Sequence, residues 1–394
     1  LPVDLIKLTL DEMKERGDFH GDLYAPFYPT SYALHTFNIL NNEKKFYYEN
    51  KQIPNMRLHL LFIGPPMSSK TYYLEHMSWD ENAIFKGTGF DMVKKGRLTE
   101  TGLCGGFIQN GGRSEKRIGE AEKYANGFLS IDEFSAITDT YGQSYNAALE
   151  AQLLAALDHG NVVKDLGGGT IEFKTRCTTW GGIQPRKLHM ENDAGLGRRI
   201  CFLVNIPTKS QLEHIRTAIF RSKNIAPKEG EIAHIHDQVV EWREMVDNIE
   251  RIDYDEAILQ YYISNNTNPL HQPLSDRILL GYHLARGKFD HELHITLEDP
   301  MAATMVKNSL DWFEDVRRGT DILQVKSLIK SYGVYYPDME TYVVEERKLI
   351  DAGTTVSMTT KEMITAIGEM INLRMIGKLN KEQKSLTMYV PGKP

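Results

Sequence analysis

The spacing of apolar positions along the chain changes character three times. Residues 3–16 and 32–48 carry apolar side chains at helical spacing, and the aromatic segment 24–29, with Pro26 and Pro29, reads as the turn between two helices. From 51 to 207, short apolar runs alternate with helical stretches, the pattern of a parallel sheet with helical crossovers. Strand candidates are 57–63, 127–131, 175–181 and 199–205. Residues 208–316 are helical in pattern, with amphipathic stretches at 232–246, 254–264, 275–285 and 297–313. The remainder, 317–394, reads as helices at 321–332, 339–352 and 360–373, then two strand-like runs at 375–379 and 385–390. That order predicts a winged helix. The expected organisation is therefore a helical N-terminal segment (1–50), an α/β core (51–207), a helical unit (208–316) and a winged helix (317–394).

Composition narrows the class. The chain has 394 residues, 41% hydrophobic and 25% charged, which is ordinary for a water-soluble protein of two or three domains. No apolar run approaches the ~20 residues a membrane span needs. Cys104, Cys177 and Cys201 are too widely spaced for a disulfide framework or a zinc knuckle, and a reducing cytoplasm is expected. The chain begins Leu1-Pro2 without Met, which leaves room for a segment upstream. A net charge of −7 gives no overall nucleic-acid signature, although a ring can gather its lysines and arginines in a channel while its outside stays acidic.

Two motifs carry the candidate chemistry. The apolar run Leu60-Leu61-Phe62-Ile63 ends in Gly64-Pro65-Pro66-Met67-Ser68-Ser69-Lys70-Thr71 and is followed by a helical run. A strand, a tight loop and a helix in that order turn backbone N–H groups toward an anion at a helix N-terminus. The pattern is a variant of GxxxxGK[ST] with Ser69 at the second glycine. Lys70 is placed to reach β- and γ-phosphates, and Thr71 to offer its hydroxyl to Mg²⁺. About 60 residues later, Gly127–Phe134 (GFLSIDEF) is a second apolar strand that ends in Asp132 and Glu133. Such a carboxylate pair suits a metal and a water: Asp132 for the Mg²⁺ shell, Glu133 to polarise the attacking water. Together the motifs predict an ATP- and Mg²⁺-dependent hydrolase.

Two glycine-rich segments flank the acidic strand. Residues 97–117 contain Gly105-Gly106 and Gly111-Gly112 and read as a hairpin or lid carrying Arg113, Lys116 and Arg117. Residues 161–164 and 170–174 can pair around Gly167-Gly168-Gly169, with Lys164 near the tip.

This order of parts resembles an AAA+ ATPase, and more narrowly the ATPase module of the minichromosome maintenance (MCM) replicative helicases. The resemblance rests on the small residue Ser69 in the phosphate loop and on GFLSIDEF with Gly119–Asn126 before it. It extends to the two hairpins, to Thr178–Pro185 as a sensor strand, to Gly195-Leu196-Gly197-Arg198-Arg199 and to Leu274-Ser275-Asp276-Arg277-Ile278-Leu279. It covers about 50–315. It implies an α/β fold with an AAA+ P-loop αβα core on a parallel sheet, a helical lid and a C-terminal winged helix. It also implies roles. Gln184 stands where the family has a sensor Asn. Arg198 is the better match for the arginine finger, with Arg199 its neighbour. Arg277 matches the second sensor, and Lys164 the hairpin lysine that faces DNA. Arg113, Lys116 and Arg117 would add phosphate contacts. The family's N-terminal DNA-binding domain, with its zinc site, has no counterpart in this sequence, and Gln184 and the short second hairpin depart from the pattern.

A finger donated in trans makes ATP a glue between subunits, so a homo-oligomeric ring, six-membered by resemblance, is expected. Three activities stay open at this point. The first is a DNA translocase or helicase acting in replication on single-stranded or forked DNA. The second is a nucleotide-switched assembly or loading factor, and the third an ATP-driven protein remodeller.

Overall fold

The N-terminal helices belong to the core. In the computed structural model, which describes residues 2–17, 22–40, 47–48, 51–52, 56–110, 113–135, 154–158, 160–166, 168–185, 199–207, 209–222, 231–265, 267, 269, 271–339, 341–356, 358–380 and 385–388, the first helix is α1 (Leu5–Glu15). The Asp4 side chain caps it by accepting from the Lys7 N–H, and Leu5, Ile6, Thr9 and Met13 face inward. The second helix, α2 (Phe27–Leu40), starts within the segment expected to be a turn and ends before the expected limit of 48. Pro29 lies in its first turn, where a missing N–H costs nothing. Beyond it, Tyr47–Tyr48 (β1) pairs antiparallel with Lys51–Gln52 (β2).

Every residue of α2 from Phe27 to Phe37 is buried, and two of its polar side chains, Ser31 and His35, bond to the sheet and the segments beside it. The Ser31 hydroxyl donates to the Leu58 carbonyl (2.6 Å) and accepts from the Trp180 indole N–H (2.9 Å). The helical N-terminal segment expected over 1–50 thus supplies a covering layer of the sheet, with Ser31 and His35 bonded to buried partners.

The sheet is built from β3 (His59–Ile63), β4 (Met92–Arg97), β7 (Phe128–Glu133), β10 (Thr178–Ile183) and β11 (Ile200–Val204), in the order β11-β3-β10-β7-β4, with every pairing parallel. Alternate side chains serve opposite faces. Leu60, Phe62, Phe128, Trp180, Cys201 and Leu203 pack with α1 and α2 on one side. Leu61, Ile63, Leu129, Ile131, Ile183 and Phe202 enter a second core on the other. Burial on both faces is why four of these strands read as continuous apolar runs. The fifth, β4, lies at the edge opposite β11, and with Lys94, Gly96 and Arg97 exposed its pattern does not read as a strand.

Shorter elements hang on this frame. Lys70–Leu74 (α3) follows β3 and widens into a π-helical turn, Glu75–Trp79. Between β4 and β7 lie α4 (Glu100–Cys104), the hairpin of β5 (Gly106–Asn110) with β6 (Arg113–Arg117), and α5 (Glu120–Lys123). A second hairpin pairs β8 (Asn161–Leu166) with β9 (Gly169–Lys174). It rests on the first: a Cβ on Gly168 would sit 2.2 Å from Ser114 Oγ and 2.9 Å from the Phe107 ring, so only glycine allows the two hairpins to meet.

The helical region contains α6 (Lys209–Ser222), α7 (Glu231–Val246), α8 (Glu256–Ser264), α9 (Gln272–Ala285) and α10 (Pro300–Arg317), with α9 against α2. It also holds a parallel strand pair absent from the helical expectation, β12 (Arg251–Tyr254) with β13 (Glu292–Ile295). The C-terminal unit comprises α11 (Thr320–Tyr332), β14 (Val334–Tyr336), β15 (Thr341–Glu345), α12 (Glu346–Ala352), α13 (Thr360–Asn372), β16 (Ile376–Asn380) and β17 (Ser385–Met388). Its strands form an antiparallel sheet in the order β14-β15-β17-β16. The helix expected over 339–352 is half strand, since Thr341-Tyr342-Val343-Val344 favours extended backbone. The core of this unit, including Val325, Ile329, Leu349, Met363 and Met370, is continuous with the second face of the large sheet. Among the described residues, no helix is long and apolar enough to cross a membrane.

Candidate functional site

The carboxyl ends of β3, β10 and β7 form one rim. In open parallel sheets, ligands bind in the crevice outside the carboxyl ends of the strands, where the chain reverses its direction of winding. Here β3 has β11 on one side and β10 on the other, and its own continuation runs to the far edge as β4. The loop 64–71 leaves the sheet at that point.

The loop is tightly held from below. Gly64 N–H donates to the Ile183 carbonyl (3.1 Å), and a Cβ on Gly64 would lie 2.2 Å from Ser68 Oγ and 2.5 Å from the Asn205 carbonyl. Asn205, just past β11, is buried; its amide donates to the Ser68 carbonyl (2.9 Å) and its backbone N–H to the Ile63 carbonyl (2.9 Å). Met67 and Ser69 both adopt left-handed backbone, at φ 65° and 68°. Left-handed residues in a turn fold successive N–H groups toward one side, a concavity suited to an anion. Non-glycine residues pay strain for that conformation. Ser69→Gly is therefore expected to stabilise the fold by about 0.5–1 kcal/mol, read as a higher thermal midpoint; a lower midpoint would show that the Ser69 side chain contributes more than its strain removes.

Lys70 and Thr71 open α3 on this loop. The Lys70 ammonium donates to the carbonyls of Gly64 (2.7 Å) and Pro65 (2.8 Å) and lies 3.3 Å from Ser68 Oγ. The Thr71 hydroxyl donates to Asp132 Oδ1 at 2.9 Å, which joins the two sequence motifs directly. Glu133 follows on the same strand end and accepts from the Ser135 N–H at 3.3 Å. Gln184 stands just past β10, the strand that separates β3 from β7. Lys70, Thr71, Asp132, Glu133 and Gln184 are all half-buried, so each keeps part of its surface open to solvent. The residues fit a Mg²⁺–nucleotide. A charged amine lies inside a glycine-dependent cradle, and a hydroxyl is paired with a carboxylate of the hard-oxygen kind Mg²⁺ prefers.

The arginines lie elsewhere. Arg198 falls outside the described residues. Arg199 immediately precedes β11, and its Nη2 contacts Asp158 Oδ2 at 2.9 Å. Arg277, in α9 and only 8% exposed, brings its Nη2 to 3.6 Å from Asp158 Oδ1. Burial lowers the pKa of the Arg277 guanidinium, an effect Asp158 opposes and Arg199 reinforces. Asp158 is fixed at the amino ends of the strands. Arg57, two residues before β3, donates to the carbonyls of Asp158 (2.7 Å), Ala156 (2.8 Å) and Cys177 (2.7 Å), and His59 Nε2 donates to that of Leu157 (2.8 Å). The five-residue strand β3 separates this cluster from the loop, a distance of about 16 Å at 3.3 Å per residue.

The hairpin lysine is also displaced from expectation. Lys164 lies on the inward face of β8 beside Val162, opposite Ile171, and is only 2% exposed. The alternation of strand side chains sets this: Asn161, Val163 and Asp165 point out, so Lys164 points in. On the other hairpin, Lys116 pairs with Glu122 at 2.8 Å and Arg117 is exposed; Arg113 lies on β6, with its side chain outside the described set.

The structure thus brings Gly64 to Thr71, Asp132, Glu133 and Gln184 to one rim and sets Arg199 and Arg277 at the opposite one. Sequence reading missed Asn205, Arg57 and Asp158. The available signals were a polar residue ending an apolar strand run, and a charged residue at the threshold of a buried strand. No known protein-family model matches this chain, and neither does any curated protein.

Proposed function

We propose that this chain is an MCM-like AAA+ ATPase that binds ATP and Mg²⁺ through a P-loop, carries a helical lid and a C-terminal winged helix, and drives translocation along DNA as a homo-oligomeric, hexameric ring in replication. The observation that carries the ATPase reading is the 2.9 Å hydrogen bond from Thr71 to Asp132, two residues 61 positions apart, beside an ammonium held in a tight loop. In this reading, Lys70 and the loop N–H groups hold the phosphates, Glu133 orients the attacking water, and Gln184 contacts the γ-phosphate or that water. Thr71 and Asp132 would hold Mg²⁺, which when bound neutralises charge on the phosphate oxygens. Arg199 and Arg277 lie too far from the loop of their own subunit to serve it. Their placement at the other end of the sheet supports action on a neighbour's nucleotide, and so a ring.

One observation favours the second reading, a nucleotide-switched loading or assembly factor. Lys164, expected to grip DNA, is buried, which leaves Lys116, Arg117 and Lys174 as the exposed cations among the described side chains of the hairpin pair. The test is the steady-state ATPase rate of the full chain with and without forked DNA, with Lys70→Ala as the blank. For a DNA motor the rate rises several-fold with DNA, the rise falls steeply with salt, and both vanish in the blank. A rate above the blank that ignores DNA moves the assignment to the loading factor. A rate no higher than the blank removes the ATPase reading.

A further inference from the structure

We infer that Asp158 is the positioning residue for the arginine pair Arg199 and Arg277, holding both guanidinium groups at the face that meets a neighbouring copy of the chain; this rests on the ATPase reading above. The two arginines come from unrelated elements, one at the start of β11 and the other in α9, and the Asp158 carboxylate reaches both, with Oδ2 2.9 Å from Arg199 and Oδ1 3.6 Å from Arg277. Two like charges this close repel unless an anion lies between them. The carboxylate is itself fixed. Its own carbonyl is bound by the buried Arg57 at 2.7 Å and the preceding carbonyl by His59 at 2.8 Å, so Asp158 is tied to the threshold of the central strand β3. That strand also carries the loop 64–71 at its far end. One rigid element therefore sets both the nucleotide loop of a subunit and the arginines it would offer to the next.

The exposure of the cluster suits this task. The Asp158 side chain is 36% exposed and that of Arg199 17%, whereas Arg277 is anchored more deeply at 10%. A half-exposed carboxylate holds an arginine in place and still lets it turn to a phosphate. A displacement of about 1 Å in such a group costs on the order of 100-fold in rate.

The experiment compares the full chain with Asp158→Asn, Asp158→Glu and Lys70→Ala, reading kcat and KM for ATP, the melting temperature, and the activity of mixed subunits. We expect Asp158→Asn to lower kcat by about 10- to 100-fold with KM little changed, and Asp158→Glu to recover most of the loss. Mixing is decisive. Asp158→Asn subunits keep an intact loop and Lys70→Ala subunits keep intact arginines, so mixed rings should hydrolyse ATP faster than the two preparations measured apart. A purely structural role for Asp158 would damage the variant's own nucleotide site, and mixing would not rescue it; that result overturns the proposal. So does an unchanged kcat in Asp158→Asn while the wild-type chain hydrolyses ATP. If the wild-type chain itself does not, the ATPase reading fails and the proposal falls with it.

Discussion

Replacing Arg57 by Ala should cost about 3–5 kcal/mol of stability, the range for removing one partner of a buried charged interaction. The side chain is 1% exposed, and burial lowers its guanidinium pKa to about 10. It remains charged at neutral pH, and it donates to three carbonyls, those of Ala156, Asp158 and Cys177. Alanine leaves all three without that donor in a region with little water, and each such loss costs about 1–3 kcal/mol before relaxation. Arg57→Met refills the volume of the stem but supplies no donor, so it should recover only a minor part. Arg57→Lys keeps the charge, but a point ammonium cannot reproduce the fork that reaches three acceptors, so it should fall between. Urea unfolding of the four chains tests this, with equal m values expected. A loss below about 1 kcal/mol for Arg57→Ala would mean that water or other donors replace the guanidinium. Because Asp158 is one of the three acceptors, the same variant should weaken ATP turnover in any fraction that stays folded.

How much of this was legible in the sequence depends on what each residue faces. Strands buried on both sides, such as Leu60 to Ile63 and Ile200 to Leu203, announce themselves as apolar runs. The edge strand β4 does not, since one side and one edge meet solvent and its Lys94, Gly96 and Arg97 are those of a surface. The burial of α2 was hidden for the opposite reason. Its Thr30, Ser31, His35 and Thr36 look like an exposed face, yet all four are buried; Ser31 is bonded to the Leu58 carbonyl and to Trp180, His35 to Thr178 and Asn126. The helix over 339–352 failed at Thr341 to Val344, where β-branched and aromatic residues pair in a sheet whose partner strand, Ser385–Met388, lies some forty residues later.

At the candidate site, local motifs were readable and long-range contacts were not. Gly64 to Thr71 and Asp132-Glu133 are contiguous strings whose chemistry follows from residue type and order. Asn205 and Asp158 act through partners far along the chain, at Ser68 in one case and at Arg199 and Arg277 in the other, and nothing in their immediate neighbours marks them. Lys164 shows the converse. Its position in a hairpin was read correctly, but whether it faces in or out depends on a strand alternation that one residue of register reverses.

Acid should unfold this protein well above the pH at which its carboxylates protonate, because three histidines are held neutral inside it. Burial lowers the pKa of His35 to about 3 and that of His76 to about 4, and drives His59 well below the ordinary range. At His59 and His76 the hydrogen bonds at Nδ1 act with burial, whereas at His35 the bond to the Asn126 carbonyl opposes it and burial prevails. His59 Nδ1 accepts from the Thr179 N–H at 3.0 Å while Nε2 donates to the Leu157 carbonyl at 2.8 Å, so a second proton would set donor against donor. His76 Nδ1 lies 3.1 Å from the Arg16 guanidinium, which can only donate. His35 Nε2 faces the Asn126 carbonyl at 3.1 Å and Nδ1 the Thr178 hydroxyl at 2.8 Å, with Arg57, Arg243 and Arg176 disfavouring its charge. The unfolded chain takes up these protons near pH 6.5 and the folded chain does not, so it is the unfolded state that gains as pH falls. The stability the neutral rings contribute is full above pH 6.5 and is lost progressively below it, by up to about 1.4 kcal/mol per pH unit for each ring until its folded pKa is reached. Stability from urea unfolding should therefore fall steeply between pH 6.5 and 4.5. His35→Gln keeps a donor for the Asn126 carbonyl but cannot titrate, so its stability curve should be flatter than wild type over that interval by close to one proton's slope. Parallel curves for the two chains would show that His35 takes up its proton in the folded state and that the acid lability has another source.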